Sequence, residues 1–471
     1  MMIGRREEQR LLRDFAGREE AQFIVVYGRR RVGKTFLVRE TFGDSFTFFY
    51  SGVANVGAKR QLREFGKTLR AHGHSAEKEF EDWFDAFDGL RALLKGSKDA
   101  KRVVFIDEMP WMDSKRSGFV PAFEHFWNGW AAGQKNLTLI VCGSAASWIT
   151  KKIFHNRGGL YNRTTLQIHL TPFSLAECKE LLDADGIRMN LHDLIEIYMI
   201  FGGIPYYLKM IDGRYGLPKN VDHLCFADSA PLRAEFEAVF QSLFRTPEKH
   251  MEVVKAAAEK KKGLTRKEIK ARVGFPDGGN LTRILKELEE SGFVRAYLPF
   301  GKKKQGMLYQ LSDPFTLFSL TWMQYPGGGA DDFWSGFMKS GAYNAWGGYA
   351  FEQLCLAHIP QIKRALGISG VLVKAAAWRG SGATGDGAQV DLVLDREDNV
   401  IDLCEMKYAS DEYAVDKKTD LALRNRAGIF SRATKTRKAV RLVLVTTYGV
   451  HPGEYASVFQ SVVTMEELAS V

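Results

Sequence analysis

The stretch QFIVVYGRRRVGKTFL, residues 22–37, decides the fold. Its opening, QFIVVYG, is an apolar run of strand length. Gly28 to Thr35, GRRRVGKT, then matches G-x-x-x-x-G-K-[ST] in full, and Lys34 to Phe42 reads as a helix. Strand, glycine loop and helix in that order is the context that gives the motif its physical sense. Glycines let backbone N–H groups turn toward phosphate oxygens, and the positive end of the helix dipole favours an anion there. On this reading Gly28, Arg29, Arg30, Arg31, Val32, Gly33, Lys34, Thr35 and Phe36 form a nucleotide site for ATP. Lys34 reaches the β- and γ-phosphates, and the Thr35 hydroxyl ligates Mg²⁺.

Working outward, SFTFFYSG reads as a second strand, and a long polar, helical stretch runs to about Lys101. RVVFIDE, NLTLIVCGS and TTLQIHL read as the third, fourth and fifth strands. Strands alternating with helices predict an α/β fold with a five-stranded parallel sheet covered on both faces. The third strand ends in Asp107 and Glu108, an acidic pair suited to a Walker B element. Asp107 belongs to the Mg²⁺ shell, and Glu108 orients or deprotonates the attacking water. Ser144 reads equally as a sensor beside the γ-phosphate or as the cap of the next helix. Arg163, before the fifth strand, suits a cation facing the nucleotide of a neighbouring subunit in a homo-oligomer. Arg157 is its rival, and an exposed arginine without a role is the plain alternative.

Residues 1–171 are therefore expected to form the nucleotide-binding core. Residues 172–245 carry helical periodicity without strands. Residues 246–324 hold three helices followed by VRAYLPF and MLYQLS, joined by GKKKQG; this is a winged-helix pattern. Its third helix, NLTRILKELEESG, carries Asn280, Thr282 and Arg283 near its start, where groove contacts arise. Glu287, Glu289 and Glu290 in its middle would repel phosphates, whereas Lys302, Lys303 and Lys304 in the wing suit them. A winged helix used only for packing is the alternative. YPGGGADD, 325–332, reads as a linker, and 333–471 as a last α/β domain.

Composition narrows the partners. The net charge of +10 fits a polyanion such as nucleic acid. Five scattered cysteines form no C-x-x-C, so neither a disulfide framework nor a zinc site is expected, and a reducing, cytoplasmic compartment is the natural reading. The N-terminus is charged from Arg5 onward, unlike a signal peptide, and no apolar run approaches a membrane span.

The segment QVDLVLDREDNVIDLCEMK, 389–407, sets Asp391 in one apolar strand and Glu405 and Lys407 in the next. Hard carboxylate oxygens on adjacent strands suit Mg²⁺ or Mn²⁺. Lys407 leaves the same strand face as Glu405 and would stabilise negative charge developing at phosphorus. Glu352, on the preceding helix, would complete the acidic cluster. The basic run 416–441, with Lys417, Lys418, Arg424, Arg426, Arg432, Lys435, Arg437 and Lys438, suits a phosphate backbone. It reads equally as a solvated helix face.

Two resemblances follow. IGRREEQRLL, YGRRRVGKTFL, FIDE, CGS, NRTT, LTPFS and FGGIPYYL together resemble the archaeal-type AAA+ ATPases, which also occur in bacteria. That resemblance implies a P-loop core, a helical lid and a winged helix, with Gly4 and Arg5 near the adenine and Pro205 where a sensor 2 helix begins. The match offers no arginine beside Pro205. The pattern E…D-x(13)-E-x-K resembles the PD-(D/E)XK nuclease superfamily. The expectation is an ATPase that positions DNA for metal-dependent phosphodiester cleavage, with a nucleotide switch that binds DNA or protein without cutting as the alternative.

Overall fold

The structure is a computed structural model. It describes residues 2–43, 45–75, 79–156, 158–274, 278–302, 306–325, 332–338, 340–381 and 387–470. The chain divides into two compact units, Met1–Thr171 and Pro172–Val471.

In the first unit five strands, β1 (Gln22–Tyr27), β2 (Phe48–Ser51), β3 (Arg102–Asp107), β4 (Leu137–Gly143) and β5 (Leu166–His169), form a sheet in the order β2-β3-β4-β1-β5. Every neighbouring pair is parallel. Phe23, Ile24, Val25 and Val26 of β1 are fully buried, which is why this strand reads as continuous apolar sequence rather than alternation. The long polar stretch resolves into two helices, Ala58–Ala71 and Trp83–Gly96. Trp83, Phe87, Phe119 and Phe123 pack with Phe23 in one aromatic core.

The second unit begins with helices only, from Leu175–Ala184 to Glu235–Leu243. Three further helices, Pro247–Ala258, Arg266–Val273 and Gly279–Glu290, come with a small antiparallel sheet whose first strand lies between the first two of them. Its strands are β6 (Leu264–Thr265), β7 (Val294–Tyr297) and β8 (Leu308–Leu311), in the order β6-β8-β7. Thr265 caps the second of these helices in a reciprocal box with Glu268.

The helix Gly341–Ala357 leads into β9 (Val373–Ser381), β10 (Gly387–Arg396) and β11 (Val400–Lys407), an antiparallel run. The helix Lys417–Thr434 then crosses to β12 (Ala439–Thr446), which lies parallel to β11, and β13 (Ser461–Val463) follows parallel to β12. The order is β13-β12-β11-β10-β9. The β7–β8 hairpin is built onto this sheet. Phe300 N donates to Ala377 O at 2.7 Å, and the Phe300 ring lies 5.2 Å from Phe430. The end of VRAYLPF is thus a packing element. Lys302 is exposed, while Lys303 and Lys304 lie outside the described residues, as does most of the 325–332 linker. No helix among the described residues is long and apolar enough to cross a membrane.

Candidate functional sites

The loop after β1 is shaped by two glycines. Gly28 has φ 148, and a Cβ there would meet Leu170 O at 2.1 Å, so only glycine fits. Gly33 has φ 92, precedes the helix Lys34–Phe42, and has open space beside it. Lys34 is buried, and its Nζ donates to Gly28 O and Arg29 O at 3.0 Å each and to Ser144 Oγ at 2.9 Å. Ser144 in turn donates to the Glu108 carboxylate through its hydroxyl, and through its N–H at 3.1 Å. Thr35 Oγ1 donates to Asp107 Oδ2 at 2.7 Å. One connected network therefore joins the loop, the end of β3 and the end of β4.

Burial pulls the Lys34 ammonium below its ordinary value, with Glu108 acting against that pull. Burial pushes the Asp107 carboxyl up, with the Thr35 hydrogen bond opposing it. A buried cation held mainly by neutral oxygens is ready for an anion, and a hydroxyl beside a carboxylate is a hard-oxygen pair that fits Mg²⁺. Ser144 does not cap the next helix: that helix begins at Ala146 and its cap residue is Ala145. Glu108 has φ 45, a left-handed conformation that turns its carboxylate toward Ser144.

The other predicted residues of this site have varied settings. Val32 and Arg29 are buried, Arg30 is exposed, Arg31 has φ 71, and Phe36 is 55% exposed. Gly4 and Arg5 both have positive φ, and the buried Arg5 side chain donates to Thr171 O. That bond ties the N-terminus to the end of the unit. Arg163 is exposed, its Nε donating to Gly159 O at 3.3 Å, and Arg157 lies outside the described residues. Pro205, in the second unit, opens the short helix Pro205–Leu208 after two left-handed glycines, Gly202 and Gly203.

In the second unit, Leu392 faces Cys404 across β10 and β11, and Asp391 and Glu405 are the next residues of the two strands beyond that pair. The pairing of β10 with β9 slips by one residue between Val390 and Val393. This bulge falls on Asp391 and Leu392, and bulges re-aim side chains. Gln389 Nε2 donates to Asp391. Glu352 lines a cavity with Asp391. Burial and then the Asp391 charge push the Glu352 carboxyl up to about 7, against Lys262, Lys261 and Lys407.

Glu405 is engaged on both oxygens, by Lys407 Nζ at 2.8 Å and by Arg426 Nη1. Burial works against the Lys407 charge, yet Glu405 holds that ammonium above its ordinary value. Among the described residues no three His, Cys, Asp or Glu side chains come together to hold a metal. The sequence expects Asp391 and Glu405 to share a divalent ion, with Glu352 in support; in this structure Glu405 holds Lys407 and Arg426 instead. Part of the basic run is paired within this unit. Arg426 is given to Glu405, Arg424 to Asp420 at 2.8 Å, and Lys438 to Asp395 at 2.6 Å.

On the helix Gly279–Glu290, Asn280, Thr282 and Arg283 are exposed. Arg283 pairs with Glu287 at 2.8 Å and donates to Asn280 Oδ1 at 2.9 Å. Glu287 also meets His250 Nε2 at 2.8 Å, so it is turned into the domain. Sequence reading passed over Lys262, Arg295 and Arg379, which gather around Asp391 only once β6, β7 and β9 are assembled.

Residues 2–211 match a family model described as an ATPase domain predominantly from Archaea. The match covers less than half of the chain and includes the phosphate loop, Asp107–Glu108 and Ser144. An uncharacterized Methanocaldococcus jannaschii protein, MJECL04, is 25% identical over 387 residues, spanning 80% of this chain and 82% of that protein. Among solved structures, the Walker-type ATPase PABY2304 of Pyrococcus abyssi is similar at 16% identity and a TM-score of 0.47, over 68% of this chain and 96% of that one. The Aeropyrum pernix ORC2 protein, solved in ADPNP–ADP complexes, is similar at 15% identity and a TM-score of 0.39, over 72% and 96%.

Proposed function

We propose that the first unit binds and hydrolyses ATP, and that its nucleotide cycle governs how the second unit engages DNA. The Lys34–Ser144–Glu108 network beside the Thr35–Asp107 pair carries the ATPase reading. Lys34 meets the β- and γ-phosphates, and Glu108 orients or deprotonates the attacking water. Thr35 and Asp107 would hold Mg²⁺, which neutralises charge developing on the phosphates. Ser144 links the cation to the base, so it is positioned to sense the γ-phosphate. Arg163, supplied by a neighbouring copy in a homo-oligomer, would add transition-state charge. Gly4 and Arg5 lie near the adenine, and Pro205 begins the helix of a lid, in keeping with the AAA+ resemblance.

In the second unit, three helices and a three-stranded sheet support a winged helix. One helix, three antiparallel strands, a helix and a parallel fourth strand support a PD-(D/E)XK-like domain. Fold alone does not bring activity. Metal-dependent cleavage of DNA by Asp391, Glu405, Lys407 and Glu352 is the full form of this reading, and it requires Glu405 to leave Arg426. The pairing of Glu405 with Arg426 favours the second reading, a domain that holds DNA without cutting it.

The deciding experiment follows cleavage of labelled linear, branched and single-stranded DNAs with Mg²⁺ or Mn²⁺, with and without ATP. It compares the native protein, Lys34→Ala and Glu405→Ala, with ATP turnover measured in parallel. Cutting lost in Glu405→Ala establishes the nuclease. ATP turnover that responds to DNA, without cutting, establishes the holding form. Turnover indifferent to every DNA rejects DNA as the partner.

A further inference from the structure

Lys262, Arg295 and Arg379 converge on a cavity of about 100 Å³ whose other walls include Glu352, Gln389 and Asp391. A wider groove of about 650 Å³ adjoins it, with Lys262, Arg379 and Gln389 in both walls and Lys260 and Lys261 along its side. The three cations come from different segments: Lys262 from the turn before β6, Arg295 from β7, and Arg379 from β9. Among the described residues none of the three side chains donates a hydrogen bond or meets a carboxylate at ion-pair distance. Arg295 pays for this most, since burial pulls its guanidinium below its ordinary value. Other long cations of this unit with a carboxylate in reach are paired, as Arg426 is to Glu405, Arg283 to Glu287 and Lys438 to Asp395. Unmatched cations gathered on one hollow leave it short of negative charge.

The size and charge of the hollow identify the occupant. The inner cavity admits a group the size of a phosphate but not a base pair, and the outer groove continues the basic wall. Three cations face two carboxylates, Asp391 and Glu352. Guanidinium groups match phosphate oxygens in a fixed fork, and lysines add point charge. We propose that a phosphodiester of a nucleic-acid strand seats in this hollow, held by Lys262, Arg295 and Arg379, with the strand running along the outer groove. The nucleic-acid path then lies on the inner side of the small sheet, where it meets the C-terminal sheet, rather than on the outer face of the Gly279–Glu290 helix. This deepens the DNA reading of the second unit and rests on it.

The test is binding of a fluorescein-labelled single-stranded DNA to the full chain, read by anisotropy across a salt series. The double variant Lys262→Gln/Arg379→Gln replaces exposed side chains and leaves the core intact. Lys95→Gln/Lys98→Gln, on the first unit, removes equal charge elsewhere. For the groove variant the expected result is at least a tenfold loss of affinity, with the salt slope lowered by about 1.4, at roughly 0.7 per lost single-strand phosphate contact. The control should stay within about twofold of the native protein. Native binding with both variants equally affected, or with the groove variant unchanged, overturns the proposed hollow and leaves the DNA reading standing. A native chain that binds no DNA overturns both.

Discussion

Lys34 Nζ and Ser144 Oγ lie 2.9 Å apart, a bond between the phosphate loop and the end of β4 across 110 residues of sequence. It ties the loop lysine to the end of the sheet where β3 and β4 finish. Lys34→Ala should lower ATP turnover by about 100-fold or more, the scale of removing one transition-state charge stabiliser. Steady-state phosphate release checks this. Because the side chain is a buried cation held mainly by neutral oxygens, the melting temperature of the nucleotide-free protein should hardly fall.

Gly28→Ala tests the loop's shape. The new methyl group would stand 2.1 Å from Leu170 O, a backbone atom that cannot swing aside. The expected loss of stability is about 2–4 kcal/mol, the range of overpacking combined with backbone strain. Urea denaturation measures it, and nucleotide binding should fall in parallel.

Glu352 should set a pH dependence of stability. Its folded value of about 7 lies above its ordinary 4.5, so the folded state holds the proton more tightly. Stability from this group is therefore full at low pH and lost as pH rises toward and through 7. Glu352→Gln should raise stability at pH 8 by on the order of 2–3 kcal/mol, and the gain should shrink toward pH 5. Thermal melts of both proteins between pH 5 and 8 decide it.

The Glu405–Arg426 pair should be energetically coupled. Removing Arg426 leaves Glu405 with Lys407 alone, and removing Glu405 leaves Arg426 and Lys407 together without their carboxylate. A double-mutant cycle of Glu405→Ala and Arg426→Ala should give a coupling of about 1–3 kcal/mol. Additive losses would mean that the pair is only a contact of convenience.

Much of the first unit is legible in sequence, because its signals are local. The run before Gly28, the loop to Thr35 and the helix to Phe42 each declare themselves within a few residues, and β1 and that helix have the expected limits. Asp107 and Glu108 likewise end β3 and its following turn as an apolar run should. The role of Ser144 is not local. Its hydroxyl goes to Lys34 and Glu108 rather than to a helix end, and that choice depends on how β1, β3 and β4 align. In the last domain the strands of Asp391 and Glu405 are readable, but the bulge at Asp391 arises from pairing with β9, which no local pattern reports. The destination of Arg426 is hidden for the same reason: the helix Lys417–Thr434 returns it to Glu405, 21 residues back in the sequence. Charge on a strand reads as a metal ligand or as half of an ion pair until its neighbours are known.

The contact between Phe300 and Ala377 bears on how this chain avoids sticking to itself. β9 is the outermost strand of its sheet, and the hairpin tip takes one of its carbonyls and lays a ring over Phe430. An outer strand with free amides and carbonyls is a template for a foreign strand. A fragment starting after the hairpin, near residue 332, would lose that guard, and its copies would be expected to join edge to edge. The upstream hairpin therefore covers one point of that outer strand, and the two halves of this unit should be expressed together.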